Sequence, residues 1–367
     1  MKKESGITIV ALVVTIVVML ILVGVSVTVS INGGLFNTTK ESAYRTEVSE
    51  IKEALEEEIV QRKARRESTD NITIEDLDIP DKIKEKYKDK LIIIGKDIYY
   101  DPANIEKDNE EAWLEDMDII ASTKLFTYNN NGDTITGLSE SGYTAIGNGV
   151  TKFVMPTRYV SKDANGNRKV TTITTIEANA FNAKDEGKEA CAKIKKIDLS
   201  KTQVTSIRQY AFSYCMNLKE AILPENLTSL GSGAFWHCEK MEKINLGRIT
   251  SVGPYCFQSC TNLKNIEIPD SVTGIYQCSF QFCSSLEKLI IPNSVTNINF
   301  AAFANCEKIQ EIRIPSSVTT ISYNVFYGSA IGGKMYVPFT KEEGKPSGWH
   351  DAWNKSGATI IYADETT

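Results

Sequence analysis

Histidine is nearly missing from this chain of 367 residues: His237 and His350 are the only two. No Cys-x-x-Cys pair occurs, so neither a zinc site nor a dithiol redox site has its usual ligand spacing. There is no Gly-rich phosphate loop, no Gly-x-Ser-x-Gly and no His-Glu-x-x-His. Asp and Asn are plentiful in residues 129–133 and 162–167, but neither stretch fits a calcium loop with its closing Glu. Excess positive charge is lacking too. The net charge is −6, and the basic run at 62–66 follows Glu56, Glu57 and Glu58, which excludes a nucleic-acid partner and leaves a solvated helix end. These absences argue against an enzyme and against any cofactor or metal.

What is present is a period. Phe212, Phe235, Phe257, Phe280 and Phe303 each precede a cysteine by three residues: Cys215, Cys238, Cys260, Cys283 and Cys306. The cysteines are spaced 23, 22, 23 and 23 residues apart, and Phe326 continues the series. A fixed interval of this length is the signature of a stacked solenoid, whose single unit cannot bury its own apolar face. Three further apolar columns keep the same register: Leu218 to Ile309, Leu223 to Ile314, and Leu230 to Ile321. In Ile266-Glu267-Ile268 the alternation has period two, so the middle residue of a short strand faces out. Pro224, Pro269, Pro292 and Pro315 then end the strand, because proline removes a ladder donor. The cysteine column reads as small buried hydrophobes. Cys256 and Cys278, outside the column on adjacent units, are the pair placed for a bridge if one exists.

The unit Ala-Phe-x-x-Cys-x-x-Leu-x-x-Ile-x-Ile-Pro-x-Ser-Val-Thr-x-Ile resembles the BspA-like bacterial leucine-rich repeats. The resemblance covers residues 172–338. The first cycle keeps Ile173, Ile176 and Phe181 but carries a charged insertion at 182–193, with Cys191, and is expected to be an N-terminal capping unit with a protruding loop. Residues 339–367, with Trp349 and Trp353, are expected to cap the far end. Family membership implies surface recognition of a protein or glycan. The outward strand column would carry it: Asp198, Ile222, Asn245, Glu267, Ile290, Arg313 and Tyr336, flanked by Lys195, Lys219, Glu220, Lys243, Lys264, Lys288 and Glu311. Trp236, Phe282 and Tyr327 are further candidates for exposed aromatics.

Residues 7–31 hold no charge and are long enough to cross a bilayer as a helix. Lys2 and Lys3 precede them, which predicts a single-pass chain with its N-terminus in the cytoplasm and its bulk outside the cell. The segment Lys2-Lys3-Glu4-Ser5-Gly6-Ile7 resembles a type IV prepilin leader. That resemblance implies cleavage after Gly6 and methylation of Ile7 by a prepilin peptidase, with pilus or secretion components as partners. Pilins usually carry Glu at the fifth mature position, where this chain has Ala11; an intramembrane carboxylate is retained only for a role, so its loss argues against a major filament subunit. No Leu-Pro-x-Thr-Gly signal occurs, which leaves the N-terminal helix as the visible anchor.

Between anchor and repeats, Val48, Ile51, Leu55 and Ile59 predict an amphipathic helix in 37–70, capped by Thr38 or Thr39. Residues 71–124 read as a small α/β module, with a hairpin at 91–100 and a helix at 104–117. Residues 125–171 read as a β-rich N-cap. The class expected is α+β: a transmembrane helix in 1–36, a pilin-like stalk and α/β module, then a β-rich leucine-rich repeat solenoid. If the leader is processed, mass spectrometry of membrane-fraction protein will show a methylated Ile7 start; an intact Met1 or Lys2 start leaves a plain membrane anchor.

Overall fold

A computed structural model describes residues 34–367, apart from 68, 70–71, 95–96, 102–103, 106–109, 111–112, 115–120, 163–164, 166, 330–333 and 366–367. The expected transmembrane segment, and with it Gly6 and Ile7, lies outside the described residues, as does most of the helix expected at 104–117. Among the described residues no helix is long and apolar enough to cross a membrane.

Helix α1 spans Gly34–Arg65. Thr38 and Thr39 therefore sit inside it and do not cap it. Val48, Ile51 and Leu55 of the apolar stripe are buried, and i,i+4 pairs Arg45–Glu41 (2.9 Å) and Arg62–Glu58 (2.6 Å) brace its polar side. After the short helix α2 (Asp81–Tyr87), strands β1 (Leu91–Ile94) and β2 (Asp97–Tyr100) form an antiparallel hairpin. Strand β3 (Phe126–Tyr128) runs antiparallel to β4 (Thr134–Leu138); helix α3 (Glu140–Gly147) and β5 (Lys152–Val154) follow. Strands β6 (Arg158–Lys162) and β7 (Arg168–Thr172) make a hairpin by themselves.

The solenoid then alternates short and long strands: β8 (Thr175–Ile176), β9 (Lys196–Asp198), β10 (Ser206–Ile207), β11 (Glu220–Ile222), β12 (Ser229–Leu230) and β13 (Lys243–Ile244). It continues with β14 (Ser251–Val252), β15 (Asn265–Glu267), β16 (Gly274–Ile275), β17 (Lys288–Ile290), β18 (Asn297–Ile298), β19 (Glu311–Arg313), β20 (Thr320–Ile321), β21 (Lys334–Tyr336) and β22 (Thr359–Ile361). Long strands pair in parallel with long strands, and short with short. The repeat begins one turn earlier than the sequence pattern indicates. Strand β4 pairs in parallel with β8, and β5 with β9, so residues 134–154 form a turn whose strands are spaced by a helix and not by the repeat motif.

The third side of each turn, Ala-Phe-x-x-Cys, holds the stack together. Phe181, Phe212, Phe235, Phe257, Phe280, Phe303 and Phe326 form one column of parallel rings with centroids 5.0–5.8 Å apart. Offset stacking of this kind adds about 0.5–1.5 kcal/mol per pair beyond burial. Edge-on rings close both ends: Phe126 on Phe181 and Trp353 on Phe326. Beside the rings, each cysteine thiol donates to the carbonyl of the phenylalanine one turn back. Cys215 reaches Phe181, Cys238 Phe212, Cys260 Phe235, Cys283 Phe257 and Cys306 Phe280, all at 3.2–3.3 Å. In the last turn Ser329 replaces cysteine, and its hydroxyl reaches the Phe303 carbonyl at 2.6 Å. The column is thus more than small hydrophobes: it is a row of buried donors. All eight cysteines are free and buried, Cys256 and Cys278 included, so the bridge considered for that pair does not form. Burial pushes the thiols up, Cys306 to about 12.

The same side strains the backbone. The residue two before phenylalanine and the residue two after it take left-handed φ: Tyr210 (54°) and Tyr214 (58°), Tyr255 (57°) and Ser259 (62°), Cys278 (53°) and Phe282 (62°). Each such non-glycine residue costs about 1 kcal/mol or more. The compensation is a further ladder, because this bend aims alternate N–H groups at the next turn. Tyr210, Phe212 and Tyr214 donate to Ser232, Ala234 and Trp236 at 2.7–2.9 Å.

The insertion at 182–193 is tied to the solenoid along its length, beginning with Ala183, whose N–H donates to the Ser213 carbonyl at 3.0 Å. Cys191 is buried, and Lys188 donates to the Asn179 carbonyl at 2.6 Å. At the far end, Trp349 and Trp353 are buried and pack edge-on, and the Trp349 indole donates to the Val318 carbonyl at 2.9 Å. They are cap core.

Two outcomes test this side of the solenoid. Ser329→Ala should lower stability by about 1–3 kcal/mol in urea melts, since it strands a buried carbonyl, while Ser329→Cys should lose less. Without reductant, no thiol should react with a disulfide reagent in the native chain at pH 8, and all eight should react once it is unfolded.

Candidate functional site

The long-strand side positions the outward column as expected. Pairing sets Asp198 beside Ile222, Glu267 beside Ile290, and Arg313 beside Tyr336. Asn245, Glu267, Ile290 and Arg313 are exposed, whereas Asp198, Ile222 and Tyr336 are half-buried. Cross-strand ion pairs knit part of the surface: Lys196–Glu220 at 2.6 Å and Lys219–Glu242 at 3.3 Å. Arg313 is pinned from two sides, its Nε 2.9 Å from Glu311 and its guanidinium 3.7 Å from the centre of the Tyr336 ring. Near the start of the face, Lys152 is buried alongside Lys196. Burial first, and then the Lys196 charge, push its ammonium below the ordinary lysine range.

Three depressions follow one another across this face. One, of about 360 Å³, lies over β11 and β13 and includes Ile222 and Asn245. The next, of about 800 Å³, lies between β13 and β15 and includes Asn245 and Glu267. The third, of about 710 Å³, lies over β17 and β19 and includes Ile290 and Arg313. Five of the seven residues read from the sequence therefore line grooves. Asp198 and Tyr336 lie outside them.

The middle depression marks a seam. The long-strand ladder stops at β13 and restarts at β15, and the short-strand ladder stops at β12 and restarts at β14. A third ladder skips the same step. Thr228 donates to Thr205, Thr273 to Thr250, Thr296 to Thr273 and Thr319 to Thr296, but among the described residues no such bond joins Thr250 to Thr228. The phenylalanine–cysteine ladder runs through, with Gly233, Phe235 and His237 donating to Pro254, Cys256 and Gln258; two single backbone bonds also cross, from Arg248 to the Leu227 carbonyl (2.9 Å) and from Asn262 to the Glu239 carbonyl (3.0 Å).

The cause is one missing residue. In the turns after β11, β15, β17 and β19 a proline stands two residues past the strand and accepts the turn bond, as Pro224 does from Leu227 and Pro269 from Val272. In the 22-residue unit Leu246 does both jobs, accepting from Ile249, and β13 shrinks to two residues. Gly247 makes the tight bend at φ 59°, where a Cβ would stand 2.9 Å from the Pro224 carbonyl. The Asn245 side chain fills in for the lost strand, its amide accepting from Leu223 N–H (2.9 Å) and donating to the Leu223 carbonyl (3.1 Å). The short interval is visible in the sequence; that it opens a groove is not.

The aromatics expected to be exposed divide. Phe282 and Tyr327 are, while Trp236 is half-buried between Tyr210 and Tyr214. Tyr214 also stacks on His237 at 4.6 Å and takes the Lys184 ammonium at 4.8 Å. No group of three or more His, Cys, Asp or Glu side chains is placed to hold a metal ion among the described residues.

The turn geometry agrees with a family profile. Residues 165–248 and 247–340 match the BspA type leucine-rich repeat region, in six copies. Residues 165–340, just under half of the chain, are therefore similar to BspA-type leucine-rich repeats. Among solved structures, a leucine-rich repeat protein from Bacteroides ovatus is 22% identical over 65% of this chain and 68% of its own, with a TM-score of 0.40. One from Eubacterium ventriosum is 23% identical over 58% of this chain and 52% of its own, at 0.43. A leucine rich cell surface protein from Faecalibacterium prausnitzii is 16% identical over 65% of this chain and 92% of its own, at 0.21. This chain spans about half the length of the second and about two thirds of the first. No curated protein matches it. The family match covers the solenoid from residue 165 onward and leaves out the first turn, at 134–154.

Proposed function

We propose that this chain is a recognition protein of the cell surface, whose long-strand side binds a protein or glycan. The observation that carries the reading is Ile290. It is 59% exposed on a ladder strand, at the floor of the β17–β19 depression, between Lys288 and the pinned Arg313. A rigid exposed aliphatic flanked by an ordered guanidinium is the makeup of a binding hot spot. Such a surface needs no catalytic group.

The apolar run at 7–31 supports attachment to the membrane by a single helix, with the repeats displayed outside the cell. The Gly6-Ile7 junction supports a second reading, in which a prepilin peptidase processes the chain and the solenoid decorates a minor pilin or secretion pseudopilin.

The full chain in detergent, screened on immobilised bacterial and host surface components, should capture at least one. Combined Ile290→Ser and Arg313→Ala substitution should weaken that binding about tenfold with an unchanged melting temperature. Unaltered binding removes the β17–β19 depression from consideration.

A further inference from the structure

Both walls of the seam are built from strands that have lost their neighbour. The groove between them, at about 800 Å³, falls in the size range of small-ligand sites. Its walls are the edge strands β13 and β15, which share no ladder bonds, and it opens on the long-strand side.

The side chains around it are unusually free. Lys243 and Lys264 stand against Glu267 and Asp270, and among the described residues none of the four makes an ion pair or a side-chain hydrogen bond. Asn265 is also uncommitted, while Asn245 is held by Leu223. Elsewhere on this side, opposite charges in neighbouring strands do pair, as Lys196 does with Glu220.

We infer that the seam is a binding site for a neutral polyhydroxylated ligand, an uncharged oligosaccharide. The charge balance decides the class. A third carboxylate on the lining, Glu242, is taken by Lys219 at 3.3 Å; the two remaining ammonium groups and two carboxylates cancel, so a polyanion or a polycation gains on one pair and is repelled by the other. Hydroxyl groups meet no such conflict, since each one donates to a carboxylate or amide oxygen and accepts from an ammonium or amide N–H. Ile244 and Ile268 supply an apolar floor against which the C–H face of a sugar ring can lie. This site rests on the surface-recognition reading and deepens it, placing a glycan over β13 and β15 where Ile290 lies over β17 and β19; Asn265 lines both depressions, and variants of the two sets of residues tell them apart.

The test is a panel titrated against the full chain in detergent by calorimetry: cellohexaose, laminarihexaose, chitohexaose and a mannohexaose, with a heparin hexasaccharide and a hexaglutamate peptide alongside. At least one neutral hexasaccharide should bind, with a Kd that moves less than twofold between 50 and 500 mM NaCl. Lys264→Gln and Asp270→Asn change exposed side chains and leave the fold intact; each should weaken binding about tenfold. The Ile290→Ser/Arg313→Ala variant should bind the sugar like the parent chain. Binding to none of the neutral sugars overturns the proposal, as does binding to heparin or hexaglutamate alone with a steep salt dependence. Loss of sugar binding in the Ile290→Ser/Arg313→Ala variant, with Lys264→Gln and Asp270→Asn silent, moves the site off the seam.

Discussion

The hydrogen bond from a cysteine thiol to a phenylalanine carbonyl one turn back, beside a stacked phenylalanine ring, fixes the rise of this solenoid. Ring and thiol come from the same short Ala-Phe-x-x-Cys segment, so each turn supplies both the donor for the turn before it and the acceptor for the turn after it. The carbonyls of Phe212, Phe235, Phe257 and Phe280 also accept the cysteine N–H of their own turn at 3.1–3.3 Å, so the thiol adds a second bond, one that joins turns. Thiol and hydroxyl are both small enough to sit in the core and still donate, and Ser329 shows that the position asks for a donor of that size. The left-handed residues that bracket the phenylalanine are tolerable because they direct backbone N–H groups into the same interface.

Continuity on one side permits discontinuity on the others. At the step from the Cys238 turn to the Cys260 turn, the ring column, the thiol bond and the backbone ladder persist, with Phe235 and Phe257 centred 5.8 Å apart. The long-strand, short-strand and threonine ladders all lapse there. The residue lost from this turn appears as a groove on the side that presents the variable residues.

Much of this was legible in order of periodicity. Residues that recur at each turn, such as Phe257, Cys260, Leu263 and Ile275, announce their burial because the same position meets the same neighbours in every copy. The outward column is legible for the same reason, since Glu267 must point away if Ile266 and Ile268 point in. What has no repeat was legible only in pieces: the 91–100 hairpin and the β-rich stretch from 125 show in the apolar alternation, but their assembly does not. The 134–154 turn joins the solenoid through Ile135 and Phe153 without the motif, helix α3 lies where no pattern was read, and β6–β7 surrounds a stretch that reads only as a turn. The thiol bonds were hidden because cysteine serves equally as a hydrophobe and as a donor, and only the distance to a carbonyl tells which.

By itself the sequence determined the stacking. An apolar column at constant spacing has one way to bury itself, and that way dictates parallel strands, an inward Phe–Cys side and an outward mixed-charge side. The tertiary structure decided where that order fails. A unit of 22 residues in a series of 23 could have been absorbed by a loop, a bulge or a shift of register. Which of these occurs depends on whether Leu246 can both end a strand and begin a turn, and on whether Asn245 can reach Leu223. Those are questions of distance between turns, and they exist only once the turns are stacked.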